Sequence, residues 1–127
     1  MSEVNSVILE IRAGVGGEEA ALFAAELLRM YQRYAQKRGW QSTLLDISYS
    51  SLGGVKEAVL EITGDGVEIL KNEGGVHRVQ RIPATEKSGR VHTSTASVAV
   101  MSRPKEAKID IKPEDLEITF FRSSGPG

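Results

Sequence analysis

Val7-Ile8-Leu9-Glu10-Ile11-Arg12-Ala13-Gly14-Val15-Gly16-Gly17-Glu18-Glu19-Ala20 is the stretch in which the sequence changes from a strand pattern to a helix pattern. Val7, Leu9 and Ile11 alternate with more polar neighbours, which predicts a strand with one apolar face. Glycines then interrupt the strand, and in residues 18–38 apolar side chains recur at helical spacing. These apolar helix positions are Ala20, Phe23, Leu27, Met30 or Tyr31, and Tyr34. The first two elements are therefore predicted to be a strand and a long amphipathic helix joined by a tight Gly-rich turn.

The predicted helix carries charge signals at both ends. Glu18 and Glu19 lie in the first turn, where the helix dipole favours negative charge, and Lys37 and Arg38 lie in the last. Gly39 follows directly, and glycine is the usual residue just past a helix. The helix is therefore expected to end at about residue 38.

The rest of the sequence predicts mainly strands. The predicted strands are residues 41–48, 55–63, 91–101, 108–111 and 116–121, with one or two helical turns at 67–71. The order β-α-β-β-α-β-β-β places most strands next to one another in the chain. It predicts an α+β fold, in which a mostly antiparallel sheet packs against one long and one short helix.

Composition bounds the classes of protein to consider. The chain has 127 residues and a net charge of -1, consistent with a single domain that lacks a general positive excess. It has no cysteine, which excludes disulfides, Cys-based zinc sites and thiol catalysis. No apolar run approaches the roughly 20 residues that span a membrane, and the first residues lack a signal-peptide pattern. We therefore expect a cytoplasmic protein without a membrane partner.

Residues 77–94 form the most unusual segment. They contain both histidines of the chain, and within residues 77–92 four basic residues accompany one acidic residue. We interpret the segment as a stiff loop that presents donors, acceptors and rings, which is what reading unstacked RNA bases requires. The hydroxyl of Thr85 suits a base edge, and the imidazole of His92 suits stacking. A solvated charged loop and an edge-strand histidine remain open as alternatives.

The Gly-rich turn at residues 14–19 has three possible interpretations. A phosphate-binding loop would need a Lys-Ser/Thr pair or a full dinucleotide fingerprint, and both are missing. Its two carboxylates would also repel phosphate. A tight turn with acidic helix capping is the simplest alternative, and exposed backbone groups that read a neutral base edge are the third.

Other chemistry has little support in the sequence. His77 and His92 have no Asp/Glu cluster at ligand spacing, and there is no Gly-x-Ser-x-Gly motif. We therefore predict no metal site, no cofactor and no catalytic residue, so that the chain is not an enzyme.

Four blocks in order resemble bacterial class I peptide chain release factors: residues 14–23, 75–86, 89–94 and 121–127. In that family a Pro-x-Thr tripeptide marks the type that reads UAA and UAG, and Ser-Pro-Phe marks the type that reads UAA and UGA. Pro83-Ala84-Thr85 resembles the first of these, type 1. One departure is that residues 67–73 are less aromatic and about one residue shorter than is usual in the family.

The resemblance implies contacts to each base of a stop codon. Gly16 and Glu19, at the helix tip, would contact the first-position uridine, largely through backbone groups. Thr85 would contact the first two bases, and His92 would stack on the second and separate it from the third. Gln80 and Thr93 would accept a purine at the third position. The implied stop-codon-binding residues are Gly16, Glu19, Gln80, Pro83, Ala84, Thr85, His92 and Thr93.

Supporting roles follow from the same resemblance. Arg78, Arg81 and Arg90 would steady the loop or touch RNA phosphates, and Pro83 would stiffen the loop because its ring fixes φ. The implied partners are the small-subunit decoding centre of the ribosome and the stop codon of the mRNA. The full-length factor would also contact the large subunit and peptidyl-tRNA.

The resemblance also predicts a domain division. Residues 1–121 would be a stop-codon-recognition domain without its closing strands, and residues 122–127 would begin a loop that leads to an absent Gly-Gly-Gln domain. Hydrolysis would then occur in the ribosomal active centre with that absent loop. An open sheet edge would promote dimerisation or poor solubility.

Two rival functions remain. A nucleotide-dependent transferase would use the glycine turn and would bind ATP or GTP through Gly16. Ribosome-rescue relatives of the release factors typically lack this decoding domain, so its presence argues against them.

Overall fold

The fold was analysed in a computed structural model, which describes residues 4–82 and 88–104. Its elements in chain order are β1 (Val4–Ala13), α1 (Gly17–Lys37), β2 (Gln41–Tyr49), β3 (Val55–Thr63), a 3-10 helix (Val67–Glu73), β4 (Gly75–Arg81) and β5 (His92–Pro104). The predicted strands at 108–111 and 116–121 lie outside the described residues.

The five strands form one sheet in the order β2-β3-β1-β5-β4. Every neighbouring pair is antiparallel, and β1 lies in the centre. Together with α1 and the short 3-10 helix, this confirms the predicted α+β fold with one long and one short helix.

The core lies between the sheet and α1. Val7, Leu9 and Ile11 of β1 are fully buried, as their alternation predicts. On α1 the buried side chains are Glu19, Ala20, Ala21, Ala24, Leu27, Leu28, Tyr31 and Ala35. The sequence pattern left open whether Met30 or Tyr31 faces the core. Tyr31 does, because it is buried and Met30 is exposed. The small alanine side chains let the helix pack closely on the sheet.

The C-terminal end of α1 confirms the prediction for Gly39. Its φ is +76°, in the left-handed region that glycine adopts without strain. The Gly39 N–H donates to the Gln36 carbonyl at 3.1 Å, and the Trp40 N–H donates to the Ala35 carbonyl at 2.8 Å. This pair of bonds is a Schellman motif, which satisfies the last carbonyls of the helix.

The prediction that residues 77–81 belong to a loop is wrong, because they lie in the segment Gly75–Arg81. This segment forms strand β4, paired residue by residue with β5 from Gly75↔Val98 to Arg81↔His92. The strand was missed because β4 lies at the edge of the sheet and none of its side chains is fully buried. It therefore lacks the apolar alternation by which a strand is recognised in sequence.

Within the part of the chain that the structure describes, no helix is long and apolar enough to cross a membrane.

Candidate nucleic-acid interface

The turn between β1 and α1 is tied to β5 by three hydrogen bonds, all of them to Thr95. The Gly14 N–H donates to the Thr95 carbonyl at 2.8 Å, and the Thr95 N–H donates to the Val15 carbonyl at 3.0 Å. The Val15 N–H donates to the Thr95 hydroxyl at 2.8 Å. The turn is thus held as an extension of the β1–β5 ladder, although Val15 itself is 75% exposed.

Gly16 is confined by both its backbone and its neighbours. Its φ is +124°, a conformation that other residues rarely adopt. A Cβ at this position would lie 3.1 Å from the Ser94 hydroxyl oxygen and 3.3 Å from the Ala20 Cβ. Gly17 also has a positive φ, +58°, but nothing lies within 4 Å of where its Cβ would be. The turn therefore requires glycine at residue 16 both for its positive φ and because a Cβ would crowd its neighbours. At residue 17 only the positive φ favours glycine.

The tip of α1 presents backbone rather than side-chain groups. Gly16 is the N-cap and supplies no side-chain hydrogen bond to the first turn, whose N–H groups have no partner within the helix. The Glu18 carboxylate accepts a hydrogen bond of 2.5 Å from the Ser50 hydroxyl, which joins the helix to the β2–β3 loop. The Glu19 side chain is only 8% exposed. Exposed backbone at Gly16 and Gly17 thus forms the outer surface of the tip.

The loop that is predicted to read RNA bases begins and ends beside the tip of α1. Arg81 and His92 are cross-strand neighbours, so residues 82–91 connect two adjacent antiparallel strands. Gln80 and Thr93 are opposite one another, and the Gln80 amide donates to the Thr93 hydroxyl at 3.3 Å. His92, Thr93 and Gln80 are all exposed, and His92 and Thr93 directly precede the buried Ser94 that packs on Gly16. Pro83, Ala84 and Thr85 lie outside the described residues.

Arg81 joins the base of the loop to α1. Its two terminal nitrogens donate to the two carboxylate oxygens of Glu26 at 2.9 and 3.0 Å, a bidentate pair. The hydrogen bond that Arg81 donates to Glu26 raises the pKa of Arg81, and the Glu19 charge adds to the effect. Arg78 and Arg90 are exposed. The Arg81–Glu26 pair therefore supports the base of the loop, as was predicted for this arginine.

His77 lies apart from the tip. Its Nε2 is 2.8 Å from the Glu73 carbonyl oxygen, so a proton on Nε2 gives a hydrogen bond to the end of the 3-10 helix. This places His77 in a structural contact, while His92 is at the candidate interface.

Three contributors were missed from the sequence: Ser94, Thr95 and Glu26. Ser94 was placed in the segment 77–94 and Thr95 in a strand, but neither was given a role, since that role follows from the β1–β5 pairing. Glu26 is 55 residues from Arg81 in the chain and has no local pattern that predicts the pair. Among the described residues, no three His, Asp or Glu side chains are arranged to hold a metal ion.

Comparison with known proteins identifies relatives of the whole chain. Residues 2–98 match the model of the PCRF domain family. The chain is 56% identical to peptide chain release factor 1 of Desulforudis audaxviator and 58% identical to that of Aquifex aeolicus, in each case over 99% of the chain. It covers 36% and 35% of those proteins, so it spans about a third of the length of the curated relatives it matches.

A solved structure shares the fold. RF2 of Thermus thermophilus superimposes with a TM-score of 0.78 at 37% sequence identity, over 88% of this chain and 32% of that one. The family match, which covers most of the chain, and the agreement of sequence and fold lead to one conclusion: this chain belongs to the peptide chain release factor family and contains its PCRF domain.

Proposed function

We propose that the chain is the codon-recognition module of a translation termination factor that reads UAA and UAG in the decoding centre of the small ribosomal subunit. The observation that supports this most directly is the attachment of the glycine turn to β5 at Ser94 and Thr95, immediately beside His92 and Thr93. Two blocks joined by a contact between residues 80 apart in sequence thereby form one surface. Family membership and the Pro83-Ala84-Thr85 tripeptide supply the rest of the argument.

The chemistry of this surface suits bases rather than phosphates. Backbone N–H and C=O groups at Gly16 can meet the polar edge of a uridine, and the exposed ring of His92 can stack on a base. Gln80 and Thr93 carry an amide and a hydroxyl, which both donate and accept and so tolerate either purine. In this proposal Thr85 makes the discriminating contact at the first two positions.

Hydrolysis of peptidyl-tRNA belongs to the ribosomal active centre and to a Gly-Gly-Gln loop outside these 127 residues. The module itself acts by binding, and its partners are the mRNA stop codon and the decoding centre. Contacts to the large subunit and to peptidyl-tRNA are assigned to the full-length factor, acting in the cytoplasm.

The glycine turn is less suited to binding a nucleoside triphosphate, as the rival function requires, than to contacting a base. Glu18 and Glu19 follow the turn directly, and their charges oppose a triphosphate. Equilibrium binding of labelled ATP and GTP to the wild-type chain and to Gly16→Ala tests the rival. Binding in the micromolar range that the substitution abolishes would favour the transferase.

The proposed function is tested by peptide release from ribosomes halted at UAA, UAG, UGA or a sense codon. The factor is full length, with this chain in place of the matching third of the Aquifex aeolicus relative. Thr85→Ala is compared with Thr43→Ala, a matched change on the exposed strand β2.

Release at UAA and UAG alone, weakened by Thr85→Ala and unchanged by Thr43→Ala, is the expected result. Release at UGA as well would contradict the assignment of the tripeptide. An absence of release at every codon would contradict the proposed function as a whole.

A further inference from the structure

The outward face of α1 carries a row of three basic residues, Arg29, Arg33 and Lys37, which we call the basic stripe. Residues four apart lie on the same side of a helix, about 6 Å apart along its axis. All three are exposed, and they line a shallow depression of about 420 Å³. The stripe is therefore accessible along about 12 Å of the helix.

The stripe has no partner among the residues that the structure describes. None of its three side chains forms an ion pair or a hydrogen bond there. One carboxylate, that of Glu26, lines the same depression, and it is paired with Arg81. Arg12, Arg81 and Arg103, in contrast, all have a carboxylate within 3.0 Å.

The fold itself does not account for the stripe. Like charges four residues apart destabilise a helix by roughly 0.2–0.5 kcal/mol per pair. The helix dipole favours Lys37, which is in the last turn, but its effect does not reach Arg29 and Arg33. The basic stripe thus lowers the stability of α1 and has no anionic partner among the described residues. This indicates that its anionic partner lies on another molecule.

The stripe is continuous with the proposed reading surface. Arg29 also borders a second depression of about 420 Å³, together with Glu26, Arg81 and Ile82. Arg81 is the cross-strand neighbour of His92 at the base of the loop. A ligand that engages the loop therefore extends naturally along α1 toward Arg33 and Lys37.

We propose that the basic stripe binds backbone phosphates of ribosomal RNA and so positions the domain on the small subunit while the loop reads the codon. This inference rests on the proposed function. Guanidinium groups pair with phosphate in a bidentate manner, and phosphate contacts fix position without reading sequence. Because the chain has a net charge of -1, the attraction must come from such a local feature.

The test uses the full-length factor and ribosomes halted at UAA or at a sense codon, with binding measured from 50 to 200 mM KCl. Arg29→Gln/Arg33→Gln is compared with Lys56→Gln/Lys71→Gln, which removes the same charge from exposed positions on other elements. Arg29→Lys/Arg33→Lys restores the charge and is the conservative variant.

Loss of two phosphate contacts is expected to reduce the slope of log affinity against log salt concentration by about 1.4–1.8. With the affinities equal at 1 M salt, this slope change lowers affinity by roughly 25- to 60-fold at 100 mM salt, equally for UAA and sense codons, so that codon discrimination is unchanged. The lysine pair should recover most of the slope, and the Lys56/Lys71 control should leave it unaltered.

If Lys56→Gln/Lys71→Gln reduces the salt slope and the affinity as much as Arg29→Gln/Arg33→Gln does, the proposal is overturned, because any loss of positive charge would then have the same effect. A change in codon discrimination would do the same, because it would place the stripe in reading rather than positioning. A benzophenone side chain at position 33 should crosslink to RNA, and labelling of ribosomal protein alone would identify an acidic protein partner instead. If the unchanged factor does not prefer UAA to a sense codon, the proposed function fails; if it does and the Arg29/Arg33 variant binds normally, only the stripe fails.

Discussion

Replacing Gly16 by alanine is expected to destabilise the domain much more than the same change at Gly17. Alanine at φ +124° adopts a sparsely populated conformation that costs on the order of 1–3 kcal/mol. Its Cβ would also lie 3.1 Å from the Ser94 hydroxyl oxygen and 3.2 Å from the Ser94 Cα. Ser94 is only 4% exposed and lies in a paired strand, so it has little room to shift, and such overpacking adds about 1 kcal/mol or more.

The total for Gly16→Ala is therefore about 3 kcal/mol. At Gly17 the φ of +58° is in the left-handed region, and the space for a Cβ is open. The conformational cost there is about 1 kcal/mol. Both variants lose the same unfolded-state entropy, which cancels when they are compared. The difference between them should be about 2 kcal/mol in the free energy of unfolding.

Thermal unfolding followed by circular dichroism measures this difference. For a chain of this length, 1 kcal/mol corresponds to about 4 °C in Tm, so the Tm of Gly16→Ala should lie about 8 °C below that of Gly17→Ala. Amide exchange at Val15 and Thr95 should quicken selectively in Gly16→Ala, because their hydrogen bonds hold the turn. Equal Tm values for the two variants would refute the close packing inferred at Gly16.

Three further predictions concern buried or paired side chains. Tyr31→Phe removes a 2.9 Å hydrogen bond to Glu73 and should cost about 1 kcal/mol; an unchanged urea midpoint would count against that bond. Burial raises the pKa of Glu10, so the unfolded state loses this proton at lower pH than the folded state does, and stability falls as pH rises through this range. The free energy of unfolding of Glu10→Gln, relative to that of the wild type, should therefore be higher at pH 7 than at pH 4. Chemical denaturation at the two pH values measures it, and the opposite trend would contradict the raised pKa. In a double-mutant cycle, Arg81→Gln and Glu26→Gln should couple by only about 0.5 kcal/mol, because both side chains are more than a third exposed; additivity within error would show that the pair contributes nothing to stability.

Elements with strong local patterns were predictable from the sequence. The alternation at Val7, Leu9 and Ile11 identified β1, because side chains two residues apart on a strand face the same side of the sheet, here the side that packs against the core. The end of α1 at Gly39 was predictable because a left-handed residue there is a local requirement of the helix terminus. Strand β3 at Val55–Thr63 has the predicted bounds for a similar reason.

Elements that depend on contacts with distant parts of the chain were harder to predict from the sequence. Strand β4 is stabilised by its ladder with β5. Its alternate, half-buried positions are His77, Val79 and Arg81, and only Val79 is apolar. The Arg81–Glu26 pair joins residues far apart in sequence, so only the packing of α1 against the sheet brings them together. The predicted reading residues Pro83, Ala84 and Thr85 lie outside the described residues, and their roles stay predictions.

The sequence by itself determined the fold class, the long helix with its termini, and the blocks by which the family is recognised. These are local properties, since periodicity, capping and short motifs each depend on neighbours within a few residues. Only the tertiary structure decided that Gly16 packs on Ser94, that the turn is tied to Thr95, and that the base of the loop is held by Glu26. Those contacts join distant parts of the chain, and they exist because the antiparallel register of β1, β5 and β4 aligns one end of each strand beside the tip of α1.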